Sequence, residues 1–139
     1  MQPDKIALEE HFILPEFIPY LDQALPNVSP QARDELVGAM LDFGEARLAA
    51  MDSAGVRMAV LSLSGPGVQA ETDAAKAASL AQLANDRLAA EISRHPDRYA
   101  GFAHLSMLKA ETAANELERC VRQLGFAGAM INGHTNGVY

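Results

Sequence analysis

A single cysteine, Cys120, leaves this chain of 139 residues with nothing to pair internally and no CxxC neighbour. An internal disulfide and a thiol-based metal or redox site are therefore excluded. At helical spacing with Leu117, Val121 and Leu124, Cys120 reads as a small buried side chain. Positive charge is scarce too. Lys and Arg number 11 against 18 Asp and Glu, for a formal charge of -7, and the basic residues are scattered singly. No nucleic acid and no membrane surface is expected as a partner. The longest apolar runs fall far short of the roughly 20 residues that cross a bilayer. The N-terminus has neither the basic region nor the apolar core of a signal peptide, and a cytoplasmic protein is expected. Glycine motifs for nucleotides are also missing. HFILPEF follows the first strand where GxGxxG would stand, and Gly65-Pro66-Gly67 runs into Val68-Gln69 with no Lys-Ser/Thr pair for phosphate.

What is present is ordinary globular material, 49% hydrophobic and 21% charged, enough for one domain with a real core. Strand and helix patterns alternate along it. Lys5 to Glu9 reads as a first strand. An irregular segment with Pro15, Pro19, Pro26 and Pro30 follows, in which Ser29-Pro30 resembles a helix N-cap with proline at the first helical position. A helix is expected from about Gly44 to Ala54, with Gly55 as a left-handed cap. VRMAVLSL, residues 56–63, is nearly all apolar, as expected of a strand covered on both faces. From about Thr72 to Arg94, Leu80, Ala84, Leu88 and Ile92 recur every fourth residue beside Leu83, a helix that Pro96 stops. Tyr99 to Leu105 is a third strand, and the segment with Leu117, Cys120 and Leu124 is a helix ended by Gly125. Phe126 to Ile131 is a fourth strand.

Strands joined by crossover helices are parallel. Two α/β closures remain open, a doubly wound sheet and a (β/α)8 barrel, and both bind ligands at strand C-termini. Glu9-Glu10-His11, Ser62-Leu63-Ser64, His104 and Asn132-Gly133-His134 all fall there. Glu9 and His11 are two residues apart on a strand, so strict alternation projects them together and sends Glu10 away. A carboxylate and an imidazole that converge can hold one divalent ion, Zn or Mn. A solvated turn or an ion pair has the same spacing. His95 reads as a helix C-cap and His104 as a core residue with a backbone partner. His134, just past a strand, could face a substrate or solvent.

KIALEEHF, RLAAMDSAGVRMAVLSLSGPGVQ, ANDRLAAEISRHPDRYAGFAHLSM and ELERCVRQLGFAGAMINGHTNGVY together resemble the metal-dependent amidohydrolase superfamily. The branch is that of the decarboxylases of gamma-resorcylate and other hydroxybenzoates, whose Glu-x-His opening differs from the His-x-His of hydrolytic relatives. The resemblance implies a (β/α)8 TIM barrel in which Glu9 and His11 bind the divalent metal ion. A His from the fifth strand region and an Asp after the eighth, the proton donor, would complete the site, and neither has a counterpart here. It places the turn from Ser64 to Gln69 and Asn132 on the rim of a pocket for a small aromatic carboxylic acid, with Phe12 as a candidate apolar wall. Alternatively, Gly65-Pro66-Gly67 and Asn132-Gly133 are simple turns.

A complete barrel takes about 250 residues, so residues 1–139 are expected to be the N-terminal part of one barrel domain, about four β/α units. Unpaired edges on the first and fourth strands then make a homo-oligomer the expected state of the isolated chain. The competing readings are a hydrolase of the same superfamily and a catalytically silent half-barrel.

Overall fold

Two helices, those that follow Ser29 and Asp73, begin where a short polar side chain satisfies the first free N–H groups. The computed structural model describes residues 5–138. It runs β1 (Lys5–Phe12), a 3-10 turn (Pro15–Phe17), α1 (Ile18–Ala24), α2 (Pro30–Leu41), α3 (Glu45–Ala54) and β2 (Val56–Leu63). A second 3-10 turn (Gly67–Ala70), α4 (Ala74–Arg94), β3 (Tyr99–Ala103), α5 (Ala110–Gln123) and β4 (Gly128–Ala129) follow. Ser29 Oγ accepts from the Ala32 N–H at 3.3 Å to start α2, with Pro30 at its first position, as expected. Asp73 Oδ1 accepts from the Ala75 and Lys76 N–H groups at 2.9 and 2.8 Å and starts α4. Gly55, at φ 69°, closes α3 and returns its N–H to the helix.

The start of α3 is capped by Asp42, ahead of the N-cap residue Gly44, which has no side chain to do it. Asp42 accepts from the Gly44 N–H at 2.9 Å and from the Arg47 N–H at 2.7 Å. Arg47 in turn donates to the Asp42, His11 and Ala39 carbonyls at 2.6, 2.9 and 3.0 Å, tying the end of β1 to both helices. Replacing Asp42 by Ala should cost about 1 kcal/mol of stability, the usual value of a cap, in urea unfolding.

The four strands are parallel and lie in the order β1-β2-β3-β4. A doubly wound sheet reverses its strand order at a switch point, and no reversal occurs among the described strands. Right-handed crossovers that always advance the same way put their helices on one face. The arrangement is the arc of a (β/α)8 barrel. Against it, α4 buries Ala77, Ala81, Ala84 and Leu88, each at most 1% exposed. Of the predicted stripe, Ala84 and Leu88 are buried, and Leu80, Leu83 and Ile92 are half-buried and pack against the core. Alanines let the helix approach the sheet closely, and the leucines fill the flanks of the contact.

Several expectations need correction. β3 ends at Ala103, and β4 spans two residues where Phe126 to Ile131 was expected. Phe126 instead sends its N–H to the Cys120 carbonyl and packs into the core. The irregular segment contains an additional helix, α1. Burial on both faces holds for Ala59 to Leu63 of β2 but not for β1, where Ile6 and Leu8 are 54% and 63% exposed. β1 is an edge strand. Among the described strands it pairs only with β2, and β4 pairs only with β3, so the expected open edges are present. Among the described residues no helix is long and apolar enough to cross a membrane.

Candidate functional site

Parallel pairing sets His11 of β1 beside Ser62 of β2, register partners at the C-terminal ends of their strands. Ser62 is fully buried, and its Oγ lies 3.1 Å from His11 Nδ1 in a hydrogen bond. In the tautomer whose Nδ1–H donates to Ser62, His11 Nε2 presents a lone pair, the arrangement of a metal-ligating histidine held by an outer partner. The sequence places Ser62 with Ser64 at a strand end but gives it no partner. Its signal was legible only as the residue facing His11 across the ladder.

Glu9 breaks the alternation that was expected to pair it with His11. Its φ is 58°, and the β1–β2 register slips by one residue between Ala7 and Glu10. A bulge of this kind re-aims a side chain, so the backbone turn at Glu9 decides its direction, and the period of two does not. A non-glycine residue held at positive φ costs of order 1–3 kcal/mol and is concentrated at functional sites. Glu9, Glu10 and His11 line a cleft of about 600 Å³ that also touches Asp42, Arg47 and α2. Among the described residues no three His, Cys, Asp or Glu side chains gather in a group that could hold a metal. A catalytic ion takes at least three protein ligands, so Glu9 and His11 can supply only part of a coordination shell.

Two of the other predicted site residues, Asn132 and His134, lie along a second cleft, and Ser64 does not line it. Asn132 and His134 follow β4 and line a space of about 520 Å³ with Met107, Leu108, Ile131 and Thr135. The candidate metal pair lines one of these clefts and Asn132 and His134 the other. In an open arc the ends of the first and fourth strands face a common space only once a barrel closes. Ser64 donates its backbone N–H to the Phe12 carbonyl at 2.9 Å, which ties the β2 loop to the end of β1. Phe12 is 1% exposed and packs on Phe43, so it is core and not a free wall.

What joins the β2 loop to the β4 loop is a residue the sequence did not single out. Gln69, 3% exposed, accepts from the Asn132 N–H at 2.7 Å. Its amide nitrogen donates to the Asn132 and His134 carbonyls at 3.3 and 3.2 Å and to Thr135 Oγ1 at 3.0 Å. Asn132 Nδ2 reciprocates by donating to the Pro66 carbonyl at 3.2 Å. Gly65 is what allows the approach, since a Cβ there would lie 2.8 Å from Asn132 Oδ1. The simple-turn reading of Gly65-Pro66-Gly67 thus describes only its backbone.

His104 is the buried histidine with a backbone partner that the sequence implied. It is 3% exposed, and Nε2 accepts from the Val68 N–H at 2.9 Å. Burial lowers its pKa to about 4, so the ring is neutral at pH 7 with its proton on Nδ1. Gly67 has a φ of 52°, and a Cβ there would run into the His104 ring, so glycine is required twice over. Cys120 is fully buried, and its thiol is pushed up to about 12, by burial first and then by the Glu116 carboxylate. It is not a nucleophile at neutral pH, as its helical spacing implied. His95 ends α4 and lies edge-on to Tyr99.

Residues 11–139 match the family model described as amidohydrolase. The chain belongs to the amidohydrolase family. It is 44% identical over 129 residues to the gamma-resorcylate decarboxylase of Rhodococcus jostii, a match covering 93% of this chain and 38% of that enzyme. Among solved structures it is similar to a dihydroxybenzoic acid decarboxylase from Polaromonas with bound manganese and the inhibitor 2-nitroresorcinol. There the TM-score is 0.89 with 42% identity, over 95% of this chain and 39% of that one. The manganese-bound 5-carboxyvanillate decarboxylase of Novosphingobium aromaticivorans is likewise similar, at TM-score 0.90 and 36% identity, over 98% of this chain and 43% of that one. The chain spans about two fifths of the length of the relatives it matches. The arc of four β/α units corresponds to part of a (β/α)8 barrel, as the sequence implied.

Proposed function

We propose that this chain supplies the metal-holding first strand and two rim loops of a divalent-metal-dependent decarboxylase of ortho-hydroxybenzoic acids. The observation that carries the reading is the His11–Ser62 pair at the strand ends, in a chain that resembles manganese-bound decarboxylases over nearly its whole length. The donor set fits, since a carboxylate and a neutral imidazole are the mixed oxygen and nitrogen ligands that manganese or zinc accepts. Glu9 and His11 would hold the ion, which when bound supplies positive charge and a chelation point for the ortho-hydroxyl and carboxylate of the ring. Ser62 keeps His11 in one orientation and one tautomer. Asn132, His134 and Ser64 orient the ring from the rim, which is an entropic contribution to catalysis. The reaction adds a proton to the ring carbon that bears the carboxylate and breaks the carbon–carboxylate bond, so an arene and CO₂ leave. No residue of this chain is assigned the proton.

A chimera tests this reading. Residues 1–139 replace the matching stretch of the Polaromonas decarboxylase, and CO₂ release from 2,6-dihydroxybenzoate is measured with manganese added. Turnover that depends on manganese supports the proposal. A folded chimera without turnover, or turnover with no metal requirement, sinks it. Manganese added to the 139-residue chain gives a second readout, because the paramagnetic ion should broaden the NMR signals of Glu9 and His11 before all others. In the chimera, Ser62→Ala should lower activity or manganese affinity by about 10- to 100-fold, the usual effect of losing an outer partner of a ligand. Activity within twofold of the parent chimera would remove Ser62 from the site.

A further inference from the structure

Gln69 spends its entire side-chain amide on a neighbouring loop, and its own position is set by a chain of buried polar contacts that begins on the outer helices. Asn85 of α4 is 1% exposed. Its Oδ1 accepts from the His104 N–H at 2.8 Å, and its Nδ2 donates to the His104 carbonyl at 3.0 Å and to Glu116 Oε1 at 2.8 Å. Glu116 is 5% exposed and is gripped by Arg119, which donates to its two oxygens at 2.9 and 2.8 Å and reaches Asp86 at 2.7 Å. His104 is thus fixed at both backbone groups. Its ring meets Phe17 edge-on with centroids 6.3 Å apart, and its Nε2 receives the Val68 N–H. Val68 is 1% exposed and immediately precedes Gln69.

We propose that Gln69 is the positioning residue of the rim, locking the β4 loop at Asn132 to Thr135 onto the β2 loop, and that His104 holds Gln69 in place through Val68. The amide orientation of Gln69 is settled by chemistry. The Asn132 N–H needs an acceptor and the two carbonyls need donors, so only one flip satisfies all three. A buried amide with every group engaged specifies one arrangement, because any other leaves polar groups unpaired at about 1–3 kcal/mol each. The consequence for function rests on the reading of Asn132 and His134 as substrate-orienting residues. The mechanical claim does not, since it concerns the loops alone.

Amide hydrogen exchange on the 139-residue chain tests it without any activity measurement, so its failure is distinguishable from failure of the chimera. Gln69→Leu should speed exchange of the Asn132 N–H at least about tenfold, the loss expected when a hydrogen bond of this worth is removed. His104→Phe, which keeps a ring but offers no acceptor, should speed exchange at both Val68 and Asn132 while Ala84 and Leu88 in α4 stay at the wild-type rate. His104→Gln presents an oxygen where Nε2 stood and should restore slow exchange at both sites, a rescue that mere filling of space would not produce. Unchanged Asn132 exchange in His104→Phe, or α4 amides that accelerate as much as Asn132, would overturn the proposal. So would a His104→Gln variant as fast as His104→Phe.

Discussion

Replacing His11 by Ala in the chimera should lower CO₂ release from 2,6-dihydroxybenzoate by at least about a hundred-fold. The bound follows from Ser62, since losing an outer partner alone is worth about 10- to 100-fold and losing the ligand it holds cannot be worth less. On the proposed ligation, the lost imidazole would leave Glu9 as the one donor from β1. Metal affinity should fall along with turnover, and excess manganese should recover part of the rate. Glu9→Gln should behave similarly but less severely, because a neutral amide oxygen still points a dipole where the carboxylate stood. Initial rates at rising manganese separate weakened binding, which saturating metal rescues, from lost chemistry, which it does not. A His11→Ala chimera with full activity would show that β1 does not hold the ion.

The second large effect is on stability. Urea unfolding of the chain should lose about 3 kcal/mol between pH 7 and pH 4 through His104 alone. Its folded pKa is about 4 and its ordinary value 6.5, so in this window the unfolded chain binds a proton that the folded chain refuses. The direction follows from linkage. A histidine whose pKa is depressed by burial favours the folded state at high pH, and that advantage disappears as pH falls through 6.5 and is exhausted below about 4. Glu71 acts in a different range. Lys76, then Tyr20 and the Asp73 and Thr72 amides, hold its carboxyl at about 2, so its contribution is lost progressively only as the pH falls from about 4.5 toward 2. Glu116 is pushed up by burial but held below the ordinary range by its bonds from Arg119, Asn85 and Cys120, and it also yields later than His104. The histidine step is therefore the first on acidification. In His104→Gln the loss between pH 6.5 and 5 should vanish, and a slope equal to that of the wild type would assign the step to another group.

The positions with a local cause in the chain were legible beforehand. Ser29-Pro30, Gly55 and the apolar run of β2 announce themselves, because caps and buried strands are specified by the residues at the spot. The burial of Cys120 was readable from helical spacing for the same reason. Gln69, Asn85 and Ser62 carried no such signal. Each is a polar residue inside an apolar element or next to a turn, and its meaning comes from a partner 63, 19 or 51 residues away. Alternation failed at this spot for the opposite reason, since Glu10, expected to point away, lines the same cleft as Glu9 and His11. The rule assumes an unbroken pleat, and a one-residue slip at the edge strand cancels it.

By itself the sequence determined the alternation of strands and helices, the absence of nucleotide and disulfide motifs, and the likeness of its opening strand to metal-binding decarboxylases. The first two are properties of neighbours in the chain and of composition, which short-range sterics and burial preferences translate directly, and the third is a resemblance carried by the residues of KIALEEHF. Only the tertiary structure decided that the strands lie in unreversed order, that His11 rests on Ser62, and that one glutamine fastens the two rim loops. Those facts depend on which residues the sheet and its helices bring together across long stretches of chain, and no local preference encodes them.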